Sequence, residues 1–123
     1  MQVLFLDDDG DLRDAMAVVM RDLGHEVLVV GSLSDLKAMA PAALRSALAI
    51  LDLNLGAGQP SGVDAYRWLC SCGFGGRVVF LTGHGRSFPL VQEAATLQAS
   101  SIRHLEKPIT IEQLESLVAE VAS

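Results

Sequence analysis

The chain is short of cations, thiols and imidazoles, and each shortage removes a class of function. Lys and Arg together number 9 against 15 Asp and Glu, for a formal net charge of −6. A nucleic-acid footprint needs clustered basic residues to neutralise phosphates, so no direct nucleic-acid binding is expected, while protein partners stay open. The only cysteines, Cys70 and Cys72, stand two apart on an expected helix and point to different sides of its cylinder. With His25, His84 and His104 scattered elsewhere, zinc-ligand spacing is lacking. The two read as reduced thiols, one half-buried and one more exposed. No apolar run approaches the roughly 20 residues that cross a bilayer. The start, Met1 to Leu6, runs into three aspartates with neither a basic leader nor a small-residue cleavage site. The expectation is a cytoplasmic chain without a signal peptide or membrane contact.

What is present is an ordinary globular composition: 123 residues, 50% hydrophobic and 20% charged. That length suits a single domain over 1–123 with a core that needs no disulfide. Val3 to Leu6 reads as a strand, followed by acidic Asp7-Asp8-Asp9-Gly10-Asp11. Leu12, Met16, Val19 and Leu23 then recur at helical steps up to Gly24. Val27 to Val30 is a second strand, and Ser32 with Asp35 opens a helix that Pro41 kinks or divides. Leu48-Ala49-Ile50-Leu51-Asp52 is a continuous apolar run that ends in a carboxylate, the pattern of a parallel strand covered on both faces.

A Gly- and Pro-containing loop from Gly56 to Gly62 leads to a helix from Val63 to Cys72, with Tyr66 and Trp68 on it. Val78 to Leu81 is the fourth strand, ending at Thr82-Gly83-His84-Gly85. A helix from about Phe88 to Gln98, with Pro89 in its first turn, and a fifth strand from Ile102 to Leu105 follow. After Lys107-Pro108, Thr110 with Gln113 forms a capping box for a last helix whose apolar stripe is Ile111, Leu114, Val118 and Val121.

Alternating strands and helices with right-handed crossovers give an α/β fold, a five-stranded parallel sheet, doubly wound. In the strand order 2-1-3-4-5 the first and third strands are neighbours, and the carboxyl ends beside that switch point form the ligand crevice. Asp7, Asp8 and Asp52 converge there, with Thr82 and Lys107 on the same edge. Each residue alone has a plain explanation as a turn former, a helix start or a surface lysine. Their joint arrival from four separate segments does not. Three such carboxylates repel one another, on the order of 4 kcal/mol per pair at 4 Å in an effective dielectric near 20. A divalent cation relieves this, and Mg2+ suits an open aspartate site that also receives phosphate oxygens. Asp52 is then a nucleophile for a phosphoryl donor, forming an aspartyl phosphate. Lys107 balances the charge and Thr82 hydrogen-bonds a phosphoryl oxygen.

On these residues the whole chain resembles a response-regulator receiver domain, the phosphorylatable module of two-component signalling, similar to chemotaxis regulators. The 2-1-3-4-5 order and a flavodoxin-like fold are the family's own. The resemblance implies that Asp52 is the phosphoacceptor, Asp8 a direct Mg2+ ligand, Asp7 a ligand largely through water, and Asn54 a ligand through its backbone carbonyl. It implies that Thr82 and Lys107 contact the phosphoryl group. His104, three residues before the lysine, takes the switch position, and the surface of the fourth helix, fifth strand and last helix changes with it. His84, two residues past Thr82, takes a position that bears on loss of the phosphoryl group. The implied donor is a cognate histidine kinase or phosphotransfer protein. A downstream target, an effector domain or a homodimer would receive the signal. The activity implied is self-phosphorylation and self-dephosphorylation rather than that of a conventional enzyme.

Three rivals remain. Asp7-Asp8-Asp9-Gly10-Asp11 resembles the motif of haloacid dehalogenase-like phosphatases, with Asp7 as nucleophile and Asp9 as acid/base. That reading leaves Asp52 unexplained, and Asp11 stands where the motif has threonine. A flavodoxin-like binding module would need a phosphate loop after the first strand, where acidic residues repel anions. A degenerate receiver would act through protein contact alone.

Overall fold

The computed structural model describes residues 1–83 and 102–122. Strands β1 (Gln2–Leu6), β2 (Glu26–Val30), β3 (Leu48–Asp52), β4 (Arg77–Thr82) and β5 (Arg103–Glu106) form one parallel sheet in the order β2-β1-β3-β4-β5. This is the expected α/β topology. The helices are α1 (Gly10–Asp22), α2 (Leu33–Ala38), α3 (Gly62–Ser71) and a last helix, Ile111–Ala122. His84 and the helix expected from about Phe88 to Gln98 lie outside the described residues.

Side chains alternate across a strand, and both sets on the central strands are apolar, so the sheet buries both faces. Leu4, Leu6, Ala49, Leu51, Val78 and Phe80 pack on one side with α2 and α3 residues such as Leu36, Val63 and Leu69. Val3, Phe5, Leu48, Ile50, Val79 and Leu81 pack on the other with Met16 and Met20 of α1 and Leu114, Leu117 and Val118 of the last helix. Full burial of each Val, Leu, Ile, Phe or Met among them contributes about 1.5–3 kcal/mol. The rigid sheet that results holds the loops at its carboxyl edge.

Local chemistry sets the ends of the elements. The Asp9 carboxylate accepts the Asp11 and Leu12 N–H groups at 3.0 and 3.2 Å and starts α1. Gly24, at φ 87°, turns the chain out of it. Ser32 caps α2 through the Asp35 N–H at 3.1 Å. Pro41 does divide the segment: α2 stops at Ala38, and a separate 3₁₀ turn spans Ala42–Arg45. Thr110 and Gln113 exchange reciprocal hydrogen bonds of 2.8 and 3.1 Å at the start of the last helix.

Two expectations are corrected. Ile111 is 55% exposed, while Leu117 is buried. Stepping around the helix, Leu114, Leu117, Val118 and Val121 form a compact stripe and Ile111 falls at its margin. Cys70 and Cys72 are both exposed, because α3 buries Val63, Ala65 and Leu69 instead. Among the described residues, no helix is long and apolar enough to cross a membrane.

Candidate functional site

β1 and β3 pair with Leu6 opposite Leu51, so Asp7 and Asp52 leave the sheet side by side. Both are buried, at 0% and 3% exposure. Asp8 is exposed at the rim. One carboxylate oxygen from each of Asp7, Asp8 and Asp52 lies within 4.8 Å of the others. From the other side, the Lys107 N–H donates to the Thr82 carbonyl at 2.8 Å. This fixes the residue after β5 against the end of β4 and sends the lysine side chain across the edge. Its Nζ reaches 2.7 Å from Asp7 Oδ2 and 3.1 Å from Asp52 Oδ2. The structure thus brings four of the expected residues into one cluster.

The two lysine contacts differ in kind. That to Asp52 has hydrogen-bond geometry. Asp7 Oδ2, though closer, is a buried oxygen without a properly angled donor, so this contact is chiefly electrostatic. Asp7 Oδ1 accepts the Asp9 N–H at 2.9 Å, and Asp52 Oδ1 receives a long contact, 3.4 Å, from the Asn54 N–H. Burial above all, and then the neighbouring Asp7 charge, push the Asp52 carboxyl up to about 6, against the opposing pull of Lys107 and Asn54. For Lys107, burial acts to lower the ammonium's pKa, but the close approach of the Asp7 and Asp52 carboxylates outweighs it and raises the net value.

Other expected residues stand around this centre. Asn54 lies in the turn after β3, where its side-chain oxygen accepts the Gly56 N–H at 3.0 Å. Thr82 Oγ1 is directed to the Leu105 carbonyl at 3.4 Å. His104 is exposed on β5, paired across the sheet with Phe80 at a ring separation of 5.5 Å. Phe80 in turn meets Tyr66 edge-on at 5.8 Å. His104 therefore belongs to an aromatic row and not to the acidic cluster.

Two supporting residues escape a reading of the sequence. A Cβ on Gly62 would collide with the Asp52 carbonyl oxygen and press within 2.9 Å of the Leu53 Cα. The Gly62 N–H donates to the Leu53 carbonyl at 2.9 Å. Only glycine lets the start of α3 close onto the backbone that carries Asp52. The Ser61 and Asp64 capping box beside it is a sequence signal that could have marked this helix start. The second residue is Arg13, whose Nη1 donates to the Asp7 carbonyl at 2.7 Å.

The cluster fits Mg2+. Its donors are hard carboxylate oxygens, one is a buried acceptor without a good hydrogen bond, and the rim is open at Asp8. Mg2+ takes one or two carboxylates and keeps waters that phosphate oxygens can replace.

The family model for the response regulator receiver domain matches residues 3–119. The tetrathionate response regulatory protein TtrR of Salmonella typhimurium is 31% identical over 112 residues, covering 90% of this chain and 51% of TtrR. The response regulator protein TodT of Pseudomonas putida is 29% identical over 112 residues, 91% of this chain and 47% of TodT. The chain spans about half the length of these curated relatives. Among solved structures, the receiver domain of NtrX from Brucella abortus matches with a TM-score of 0.78 at 25% identity, covering 97% of this chain and 96% of that one. The chemotaxis protein CheY4 of Vibrio cholerae matches at 0.79 and 23% identity over 98% and 97%, a likeness of fold.

Proposed function

The chain belongs to the response regulator receiver domain family, and from that premise we propose that it is one phosphoacceptor domain over 1–123 whose nucleophile is Asp52. The donor on this reading is a phosphohistidine on a cognate histidine kinase or phosphotransfer protein. An Asp52 carboxylate oxygen attacks phosphorus, the P–N bond breaks, and the leaving imidazole nitrogen keeps the bonding pair and takes up a proton. The product is an aspartyl phosphate. Hydrolysis by water returns the carboxylate and inorganic phosphate, so the chain turns over its own modification without being a conventional enzyme.

The observation that carries the reading is the placement of Asp52. It is a buried carboxylate at a strand's carboxyl end, held 3.1 Å from a lysine and beside a second buried aspartate. Lys107 would follow the charge to the transferring group, and Thr82 would give up its long bond to Leu105 to donate to a phosphoryl oxygen. Asp7, Asp8, Asp52 and the Asn54 carbonyl would hold Mg2+, which supplies charge neutralisation for the phosphoryl oxygens when bound. Phosphorylation adds about −1.5 to −2 charges, biasing a two-state switch in which Thr82 and His104 take part.

The output is a changed surface for a downstream target, an effector domain or a second copy of the chain, in the cytoplasm and without direct nucleic-acid or membrane contact. The phosphatase alternative makes Asp7 the nucleophile, yet Asp7 has no exposed surface, with one oxygen on the Asp9 N–H and the other against Lys107. Incubation with Mg2+ and a labelled acyl phosphate tests the reading. Hydroxylamine-labile label that disappears in Asp52→Asn supports it, and label retained in that variant overturns it.

A further inference from the structure

Arg13 closes the first turn of α1, its N–H on the Asp9 carbonyl at 3.0 Å, and directs its guanidinium back toward the end of β1. Nη1 donates to the Asp7 carbonyl at 2.7 Å, while the Asp7 N–H donates to the Val30 carbonyl at 3.1 Å. Both peptide planes that flank the Asp7 Cα are therefore held from outside the acidic loop. A charged donor makes the stronger kind of hydrogen bond.

The guanidinium fits a slot kept open by glycine. A Cβ on Gly31, just after β2, would stand 2.8 Å from Nη1 and 3.2 Å from Cζ of Arg13, and one on Gly10 would stand 3.4 Å from Nη2. Asp8 needs such support. It is the exposed member of the cluster, and among the described residues its carboxylate has neither a hydrogen bond nor an ion pair. The direction in which Asp8 presents that carboxylate is thus set by its backbone, through the Asp7–Asp8 peptide whose oxygen Arg13 grips.

We propose that Arg13 is a positioning residue for the acidic site, and that Gly31 serves the same device by leaving room for the guanidinium. The inference rests on the reading of Asp7, Asp8 and Asp52 as a Mg2+ site. On that reading Arg13 would be neither a metal ligand nor a phosphoryl contact; it fixes the peptide from which the outermost ligand would project.

The test uses Arg13→Met, Gly31→Ala and the double variant, with Mg2+ affinity from calorimetry and the Asp8 amide nitrogen shift recorded without metal. Each single variant should weaken Mg2+ binding about tenfold, the low end of what loss of an outer-shell partner costs, and should move the Asp8 resonance. The double variant should be no weaker than Arg13→Met, because Gly31 acts only through the guanidinium. Arg13→Lys should recover part of the affinity. Gly31→Ala keeps the test open if Arg13→Met does not fold, since the added methyl meets only the far end of a flexible side chain.

Parent-like Mg2+ affinity in the folded single variants, or additive losses in the double, would overturn the role of Arg13 alone. Absence of Mg2+ binding by the parent would overturn the metal reading of the site and this inference with it.

Discussion

The Lys107 ammonium lies 2.7 Å from Asp7 and 3.1 Å from Asp52, so one cation is shared by two buried carboxylates. With Asp8 at the rim, the cluster holds three acidic groups against one lysine. Charge balance is incomplete, and the arrangement is poised to accept further positive charge or to drive one carboxyl toward its neutral form. Several consequences can be measured.

Lys107→Met should act in opposite directions on stability and on metal affinity. Removing one partner of a buried ion pair typically costs about 3–5 kcal/mol. Lys107 keeps a quarter of its side chain in solvent, so a loss near the low end is expected in denaturant titrations without metal. Mg2+ should bind more tightly than to the parent, because a competing cation is gone, while phosphoryl transfer to Asp52 falls. Weaker Mg2+ binding in a folded Lys107→Met would show that the lysine helps to build the metal site.

Asp52 makes stability fall as pH rises. Its carboxyl is held at about 6 in the fold against an ordinary 3.8, so between those values the folded chain binds more protons than the unfolded chain. The stabilisation is full below about pH 4, is lost through about pH 6, and amounts to about 3 kcal/mol. Subtracting the pH profile of Asp52→Asn isolates it. Mg2+, which selects the ionised carboxylate, should shrink the difference. Identical profiles for parent and Asp52→Asn would mean that the carboxyl is not raised.

Gly62→Ala should be among the most damaging small substitutions in the chain. The new Cβ meets the backbone of Asp52 and Leu53, which cannot swing away as a side chain would. Overpacking of this kind costs about 1–3 kcal/mol or more. Chemical denaturation reads the loss, and the folded remainder should also bind Mg2+ less well because Asp52 is displaced. A neutral Gly62→Ala would mean that α3 is free to slide on β3.

Thr82 and His104 give a separable prediction for the switch. The Thr82 hydroxyl bond to Leu105, at 3.4 Å, is long for an O–H donor and costs little to break. Phosphorylation should shift the His104 imidazole resonances in the parent. In Thr82→Ala the phosphoryl adduct should still form while that shift disappears. A shift that persists in Thr82→Ala would route the change around the threonine.

Much of this arrangement was legible in the residues, and the reasons are local. Asp52 stands out because a continuous apolar run ends in a carboxylate at the edge where parallel sheets bind ligands, although an aspartate there can also simply start a turn. Gly24, Ser32 with Asp35, and Thr110 with Gln113 mark helix ends because each satisfies specific backbone groups through short-range geometry. A parallel sheet puts Asp7, Asp8, Thr82 and Lys107 at one edge, and their convergence follows from the order 2-1-3-4-5, which the family resemblance implies. What stayed hidden depends on approach between distant segments. Gly62 reads as one more loop glycine until α3 is seen against Asp52. Arg13 reads as a solvated helix residue until the space beside Gly31 is known. Ile111 fits a helical period, yet exposure depends on where the sheet lies beneath the helix.

The most direct measurement is intact mass after incubation with Mg2+ and a small-molecule phosphodonor, for the parent, Asp52→Ala and Asp7→Ala. The parent should gain one phosphoryl group, removed by hydroxylamine and absent from Asp52→Ala. An adduct that persists in Asp52→Ala and vanishes in Asp7→Ala, or a parent that neither binds Mg2+ nor gains mass, would contradict it.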